Sequence, residues 1–210
     1  IGGSRPGTAR FVPPPHQAVP DALTALENWI HKKDPLPPVV RAGLAHVQFE
    51  TIHPFLDGNG RVGRLFIALL LEHWGLLTSP LLYLSLAFKK HRQDYYRHLN
   101  NVRAKGDWEG WTTFFLRCIC EAAEDGIRAA QRLYVVLGRD QKTVIEHPAV
   151  TVMAIRLFHL LPEHPIVTVS SAMELLKTTK PTAAKAMDSL CQTGVLHEMT
   201  GKRRDRVYAY

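Results

Sequence analysis

The stretch RVGRLFIALLLEHWG, residues 61–75, carries apolar side chains on nearly every face of a helical projection. A helix of that kind cannot lie on a surface with a single dry stripe; it has to be surrounded. The chain is therefore expected to form a mainly α bundle with this helix in its middle, closed by Gly75 in a left-handed cap. Its longest apolar run, residues 65–71, is far too short to cross a bilayer, so no membrane role is expected and other protein must do the burying.

The rest of the chain can supply it. At 210 residues, with 46% hydrophobic and 21% charged residues, it has material for one large domain or two small ones, and two are expected. Residues 1–16 mix glycines and prolines around Phe11 and Val12, which reads as extended chain or a hairpin. From Asp21, Leu23, Leu26, Trp29 and Ile30 recur at helical spacing; residues 34–38 break the chain and 39–52 resume a helix. Helical patterns return at 88–103 and 108–139, separated by AKGD.

Near His147 the character changes to a helix through Leu160, a PEHP break and the short run IVTV. SSAMELLKTT then reads as a short helix capped by Ser170 or Ser171, KPTAAKAMDSLCQTG as a second helix closed by Gly194, and residues 195–210 as a hairpin. This order resembles a winged helix-turn-helix. The division expected is 1–126 with a flap at 1–15, a helical connector at 127–147, and a winged-helix domain at 148–210.

The three cysteines, Cys118, Cys120 and Cys191, match neither a zinc set nor a redox pair, and nothing at the start resembles a signal peptide. A reducing, cytoplasmic location is expected. A net charge of +7 and a pI near 9.5 favour acidic partners, nucleotides or nucleic acid. The chain opens on Ile1 inside a Gly-rich stretch, and further sequence is expected ahead of it.

Chemistry concentrates in TIHPFLDGNGRVGRLF, residues 51–66. His53 ends an apolar helix and precedes Pro54, which stops that helix and fixes the exit of the chain. An imidazole there can face a cleft and take a proton from an incoming hydroxyl. Phe55 is expected to anchor the loop in the core. Asp57 is a hard oxygen ligand suited to Mg²⁺ on phosphates, with no second imidazole for a zinc site. Gly58, Asn59 and Gly60 open the next helix, where free N–H groups meet an anion. Arg61 and Arg64, three residues apart, fall near one face beside the same anion.

HPFLDGNGRVGR resembles the signature of the Fic family, His-x-Phe-x-Asp/Glu-Gly-Asn-Gly-Arg-x-x-Arg, at every fixed position from His53 to Arg64. The resemblance extends over about 1–126, with a flap-like IGG...FVPPP before the motif and RQDYYRHLNNVRAKGDW after it. It implies an all-α bundle with a small β-hairpin flap, and transfer of AMP from ATP to a Ser, Thr or Tyr hydroxyl of a target protein or of the chain itself, with release of pyrophosphate. His53 would be the general base and Asp57 would hold Mg²⁺. The segment of Gly58, Asn59 and Gly60 would bind the α-phosphate. Arg61 and Arg64, with Val62 and Gly63 between them, would hold the outer phosphates, and the flap would dock the target. Tyr95 and Tyr96 match positions near adenine or ribose, though aromatic pairs on helices also build cores. A phosphorylating branch of the family carries Lys where this chain has Gly60, which favours adenylyl transfer.

A DNA-binding regulator with a Fic-like nucleotide sensor is the alternative. Lys180, Thr182 and Lys185 would enter a groove while GKRRDR meets phosphates; such domains also dock proteins. The resemblance further implies an inhibitory Ser/Thr-x-x-x-Glu helix. Glu27 comes nearest, but Leu23 stands where Ser or Thr is required, so such a helix is expected ahead of Ile1, with its glutamate presented to Arg64.

Overall fold

Prolines set several of the helix starts in the computed structural model, which describes residues 1–2, 5–9, 11–79 and 81–210. Pro20 stands in the first turn of α1 (Val19–His31) and Pro38 in that of α2 (Pro38–Ile52). A missing N–H costs nothing there and φ is already helical. The two helices are joined by Arg41, whose Nη2 donates to the carbonyls of Trp29, Ile30 and Lys32 at 2.9–3.0 Å. It thereby satisfies orphan acceptors at the end of α1. Its guanidinium also stacks on Trp29 and Trp74.

α3 (Asn59–His73) buries Gly63, Ile67, Leu70 and Leu71, one stripe at helical spacing. Leu65 and Leu69 are 55% and 47% exposed, so the expectation of a helix surrounded on all sides is corrected. Its composition is apolar all round, but its burial follows one face. The stop comes where expected: Gly75 has φ +74, and Leu76 N–H donates to Leu71 O at 2.8 Å. The pattern read as one helix over 88–103 is two, α4 (Leu84–Lys90) and α5 (Arg92–Lys105), parted at His91. α6 runs unbroken over Trp108–Glu146, past residue 139 where the pattern weakens. Trp111 and Phe115 on α6 are fully buried with Val47, Ile52 and Ile67, and Trp111 Nε1 donates to Gly43 O at 3.0 Å. A Cβ at Gly43 would lie 2.6 Å from the Phe115 ring, so α2 and α6 meet there only because the side chain is missing.

The chain divides into two compact units, Ile1–Ala129 and Ala130–Tyr210. In the second, α7 (Val152–Leu160), α8 (Val169–Leu176) and α9 (Lys180–Gln192) enclose Leu157, Leu161, Met187 and Leu190. Strands β1 (Ile166–Thr168), β2 (His197–Glu198) and β3 (Val207–Ala209) pair antiparallel in the order β1-β3-β2, with Val167 opposite Tyr208. α8 is capped by Thr168 and not by Ser170 or Ser171. Ser171 is the reciprocal partner in a capping box, because the chain leaves β1 directly into the helix.

The flap expected over 1–15 includes Gly3, Ser4 and Arg10, which lie outside the described residues. Within the rest, Ile1 N donates to Phe11 O at 2.6 Å and Phe11 N to Ile1 O at 3.4 Å. The two residues exchange bonds as an antiparallel pair does. No helix among the described residues is long and apolar enough to cross a membrane.

Candidate active site

The last turn of α2 places His53. Its backbone is left-handed, φ 52 and ψ 57, and its N–H caps the helix on Phe49 O at 2.9 Å. A side chain in that region costs about 1–2 kcal/mol, so packing must enforce it. Pro54 follows and continues the chain away. The imidazole thus borders a cavity of about 330 Å³, shared with Ile1 and Phe11, with Gly60 and Arg64 of α3, and with Tyr96 and Arg103 of α5. Burial lowers the pKa of His53, the neighbouring Glu50 carbonyl opposes this, and the Arg103 charge lowers it further. The ring is neutral at neutral pH and can accept a proton.

Its Nδ1 is buried without a hydrogen-bond partner, 3.9 Å from Glu50 Oε2. Glu50 is itself buried, with Oε1 unpartnered. Burial raises its pKa, against the Arg103 and Arg64 charges. A Cβ at Gly63 would stand 2.8 Å from that Oε1 and 3.1 Å from the His46 ring, so Gly63 serves the close approach of α3 to α2. It does not border the cavity.

His46, two turns before His53, is fully buried and lies 3.0 Å from Gly63 O through Nδ1 and 2.9 Å from the Tyr95 hydroxyl through Nε2. A carbonyl only accepts, so Nδ1 carries the proton and Nε2 accepts from Tyr95. Burial lowers the His46 pKa to about 4. The two tyrosines therefore differ. Tyr95 is a core residue whose ring borders the cavity while its hydroxyl is committed, whereas Tyr96 is half exposed on the cavity wall.

The loop before α3 is held by Asn59, which is buried. Its Oδ1 accepts from Phe55 N at 2.9 Å and its Nδ2 donates to Phe55 O at 2.6 Å. Phe55 is 50% exposed, so the expectation that its ring anchors the loop in the core is corrected; the amide of Asn59 does so. Gly58, at φ +86, takes the N-cap position, and no side chain caps the start of α3. That helix end is open to an anion.

The two arginines diverge. Arg64 borders the cavity and donates from Nε to Ser85 Oγ at 3.1 Å. Arg61 pairs with Asp57 at 3.1 Å, both exposed, and neither borders the cavity, as Val62 does not. Among the described residues no cluster of three metal-binding side chains occurs. A lone exposed carboxylate still fits Mg²⁺, which usually takes one or two protein carboxylates together with substrate phosphates.

The sequence reading missed Glu50, Arg92, Asn100 and Arg103, all of which border the cavity. Glu50 carried a usable signal as a lone charge within the apolar run VQFETI. Arg103 falls two turns after Tyr96 and so shares its face.

Residues 2–71 match the model of the Fic/DOC family. The chain is 42% identical over 70 residues to a probable protein adenylyltransferase of Aquifex aeolicus, covering 33% of this chain and 22% of that protein. It is 34% identical over 125 residues to the protein adenylyltransferase Fic of Nematostella vectensis, covering 59% of this chain and 27% of that one. The chain thus spans about a quarter of the length of these curated relatives. Its fold is similar to a crystal structure of a Fic family protein from Desulfovibrio desulfuricans G20, with a TM-score of 0.54 and 22% identity over 94% of this chain and 56% of that one.

Proposed function

We propose that the first unit is a protein adenylyltransferase, moving AMP from ATP to a hydroxyl of a target protein or of the chain itself. The observation that carries this reading is a neutral His53, held left-handed against a cavity that Arg64 and the uncapped region of α3 also border. With Nδ1 turned inward, Nε2 is the nitrogen that takes the proton of the hydroxyl. The hydroxyl oxygen then bonds to the α-phosphorus, the bond from that phosphorus to the bridging oxygen breaks, and pyrophosphate leaves. Charge on the phosphate oxygens is met by the backbone N–H groups of Gly58 to Gly60 and by Arg64, a preorganised arrangement of donors. Arg61 joins them once it is released from Asp57, with Val62 and Gly63 completing the segment. Asp57 would hold Mg²⁺, which would neutralise part of the phosphate charge. The paired residues Ile1 and Phe11 support the reading of a flap that docks the target by strand addition. The free thiols suit a reducing, cytoplasmic setting.

The test is a pair of labels. With ATP labelled on the α-phosphate, protein should become labelled; with the γ-phosphate labelled, it should not. The reverse result would make the reaction a phosphorylation.

A second reading concerns the second unit, which we infer to be a winged helix, with α9 as its recognition helix and the hairpin at residues 195–210 as the wing. Lys180, Arg203, Arg204 and Arg206 border one concave surface of about 510 Å³ with Ser170 and Thr168, where they outnumber Asp188 and Asp205, an excess of cations that favours phosphates; Thr182 and Lys185 do not border it. Replacing the three arginines by Gln should weaken duplex binding and flatten its salt dependence, by about one unit of log–log slope for each phosphate no longer neutralised. Unchanged binding would remove the wing from the DNA interface.

A further inference from the structure

Arg103 is where three separate pieces of the first unit meet. Its Nη2 donates to Glu50 O at 2.8 Å, and its Nε to Thr51 Oγ1 at 3.3 Å. The Cζ of the same guanidinium lies over the Phe11 ring, 3.7 Å from its centroid. Glu50 O belongs to the last turn of α2, whose carbonyls have no helical partner and need a donor. A planar guanidinium can give its edge to that carbonyl and its face to an aromatic ring at once; an ammonium cannot. On one side, then, Arg103 holds the turn that presents His53. On the other it holds Phe11, which exchanges backbone bonds with Ile1 across the base of the flap.

We propose that Arg103 is a positioning residue that locks the flap to the His53 turn, so that a hydroxyl carried on the flap meets the imidazole in register. The proposal rests on the adenylyl-transfer reading for its consequence, though not for the lock itself. Arg103 would act on the transfer step and leave nucleotide binding to the α3 side of the cavity. A misplacement of about 1 Å in such a register is worth up to a hundredfold in rate.

The test compares the 210-residue chain with Arg103→Lys, Arg103→Ala and Phe11→Ala. Three readouts are needed: amide hydrogen exchange over residues 1–12, affinity for ATP with Mg²⁺, and the rate at which α-labelled ATP labels the protein itself. Faster flap exchange is expected in all three variants, with labelling slowed by roughly ten- to a hundredfold and ATP affinity within about twofold. The pH profile adds a readout that a merely structural role would not move. The charged and titratable groups around the cavity that His53 borders are Glu50 on α2, Arg64 on α3, Arg92, Tyr95, Tyr96 and Arg103 on α5, and the amino group of Ile1, and among the cations Arg103 acts on the imidazole most directly. Removing the Arg103 cation should shift the acid limb to higher pH in Arg103→Ala and leave it in place in Arg103→Lys. If Arg103→Ala does not fold, Phe11→Ala, which touches only the flap side, decides the matter. Unchanged exchange overturns the lock, and so does a loss of ATP affinity without faster exchange, which would make Arg103 a phosphate ligand. Faster exchange in variants of a chain whose wild type labels nothing contradicts the transfer reading and leaves the lock standing.

Discussion

His46 and His53 stand two turns apart on α2, and the helix treats their surroundings in opposite ways. Around His46 every polar atom has a partner: both ring nitrogens, the Tyr95 hydroxyl and the Gly63 carbonyl are used within a fully buried site. Around His53, Nδ1 and the neighbouring Glu50 Oε1 are buried and unpartnered, and the backbone is strained. Buried polar groups are nearly always satisfied, because leaving one unmade costs about 1–3 kcal/mol. The middle of α2 obeys that rule and its end breaks it. Such violations gather where a fold serves chemistry and not its own stability.

Substitutions can break this comparison at either end. The largest expected effect is His53→Ala, which should slow transfer by about 10²–10⁴-fold with ATP affinity retained, since the proposed role of the imidazole is to take a proton and not to hold a phosphate. Equal labelling rates for variant and wild type would remove His53 from the mechanism.

The middle of the helix should answer to pH. His46 has a folded pKa of about 4 against an ordinary 6.5, so it stabilises the fold fully above pH 6.5 and loses that contribution as pH falls toward 4. The loss is about 3 kcal/mol, because the unfolded chain takes up the proton first. Urea unfolding of wild type and His46→Gln at pH 7 and pH 4.5 isolates the contribution, and a stability difference constant across that range would contradict it.

Gly63→Ala should cost about 1–3 kcal/mol by the same measurement, as its Cβ would press on both Glu50 and His46. A neutral result would mean that α2 and α3 can part without loss. The smallest effect on stability is a gain: His53→Gly relieves the left-handed backbone and should add about 1 kcal/mol, while slowing transfer as much as His53→Ala does. A variant less stable than wild type would show that the His53 ring contributes packing.

How far the sequence reveals this can be followed residue by residue. The arrest at Gly75, the breaker at residues 34–38 and the loop from His53 to Gly58 are local, and local chemistry makes them visible. The division between Tyr95 and Tyr96 is not, because it depends on a histidine 49 residues earlier in the chain. The contact between Glu50 and Arg103, 53 positions apart, is likewise made only by the fold, although each residue carried a local signal of its own. Leu65, Leu69 and Phe55 erred the other way. Their composition promises burial, but whether a neighbour covers them is decided by elements elsewhere in the chain.

The most direct measurement of the central claim is intact-protein mass spectrometry of the chain, and of a lysate treated with it, after incubation with ATP and Mg²⁺. The account predicts protein carrying one added AMP, formed by wild type and not by His53→Ala, together with release of pyrophosphate. No added AMP on any protein from a folded chain that binds ATP, or equal addition by both forms, would contradict it.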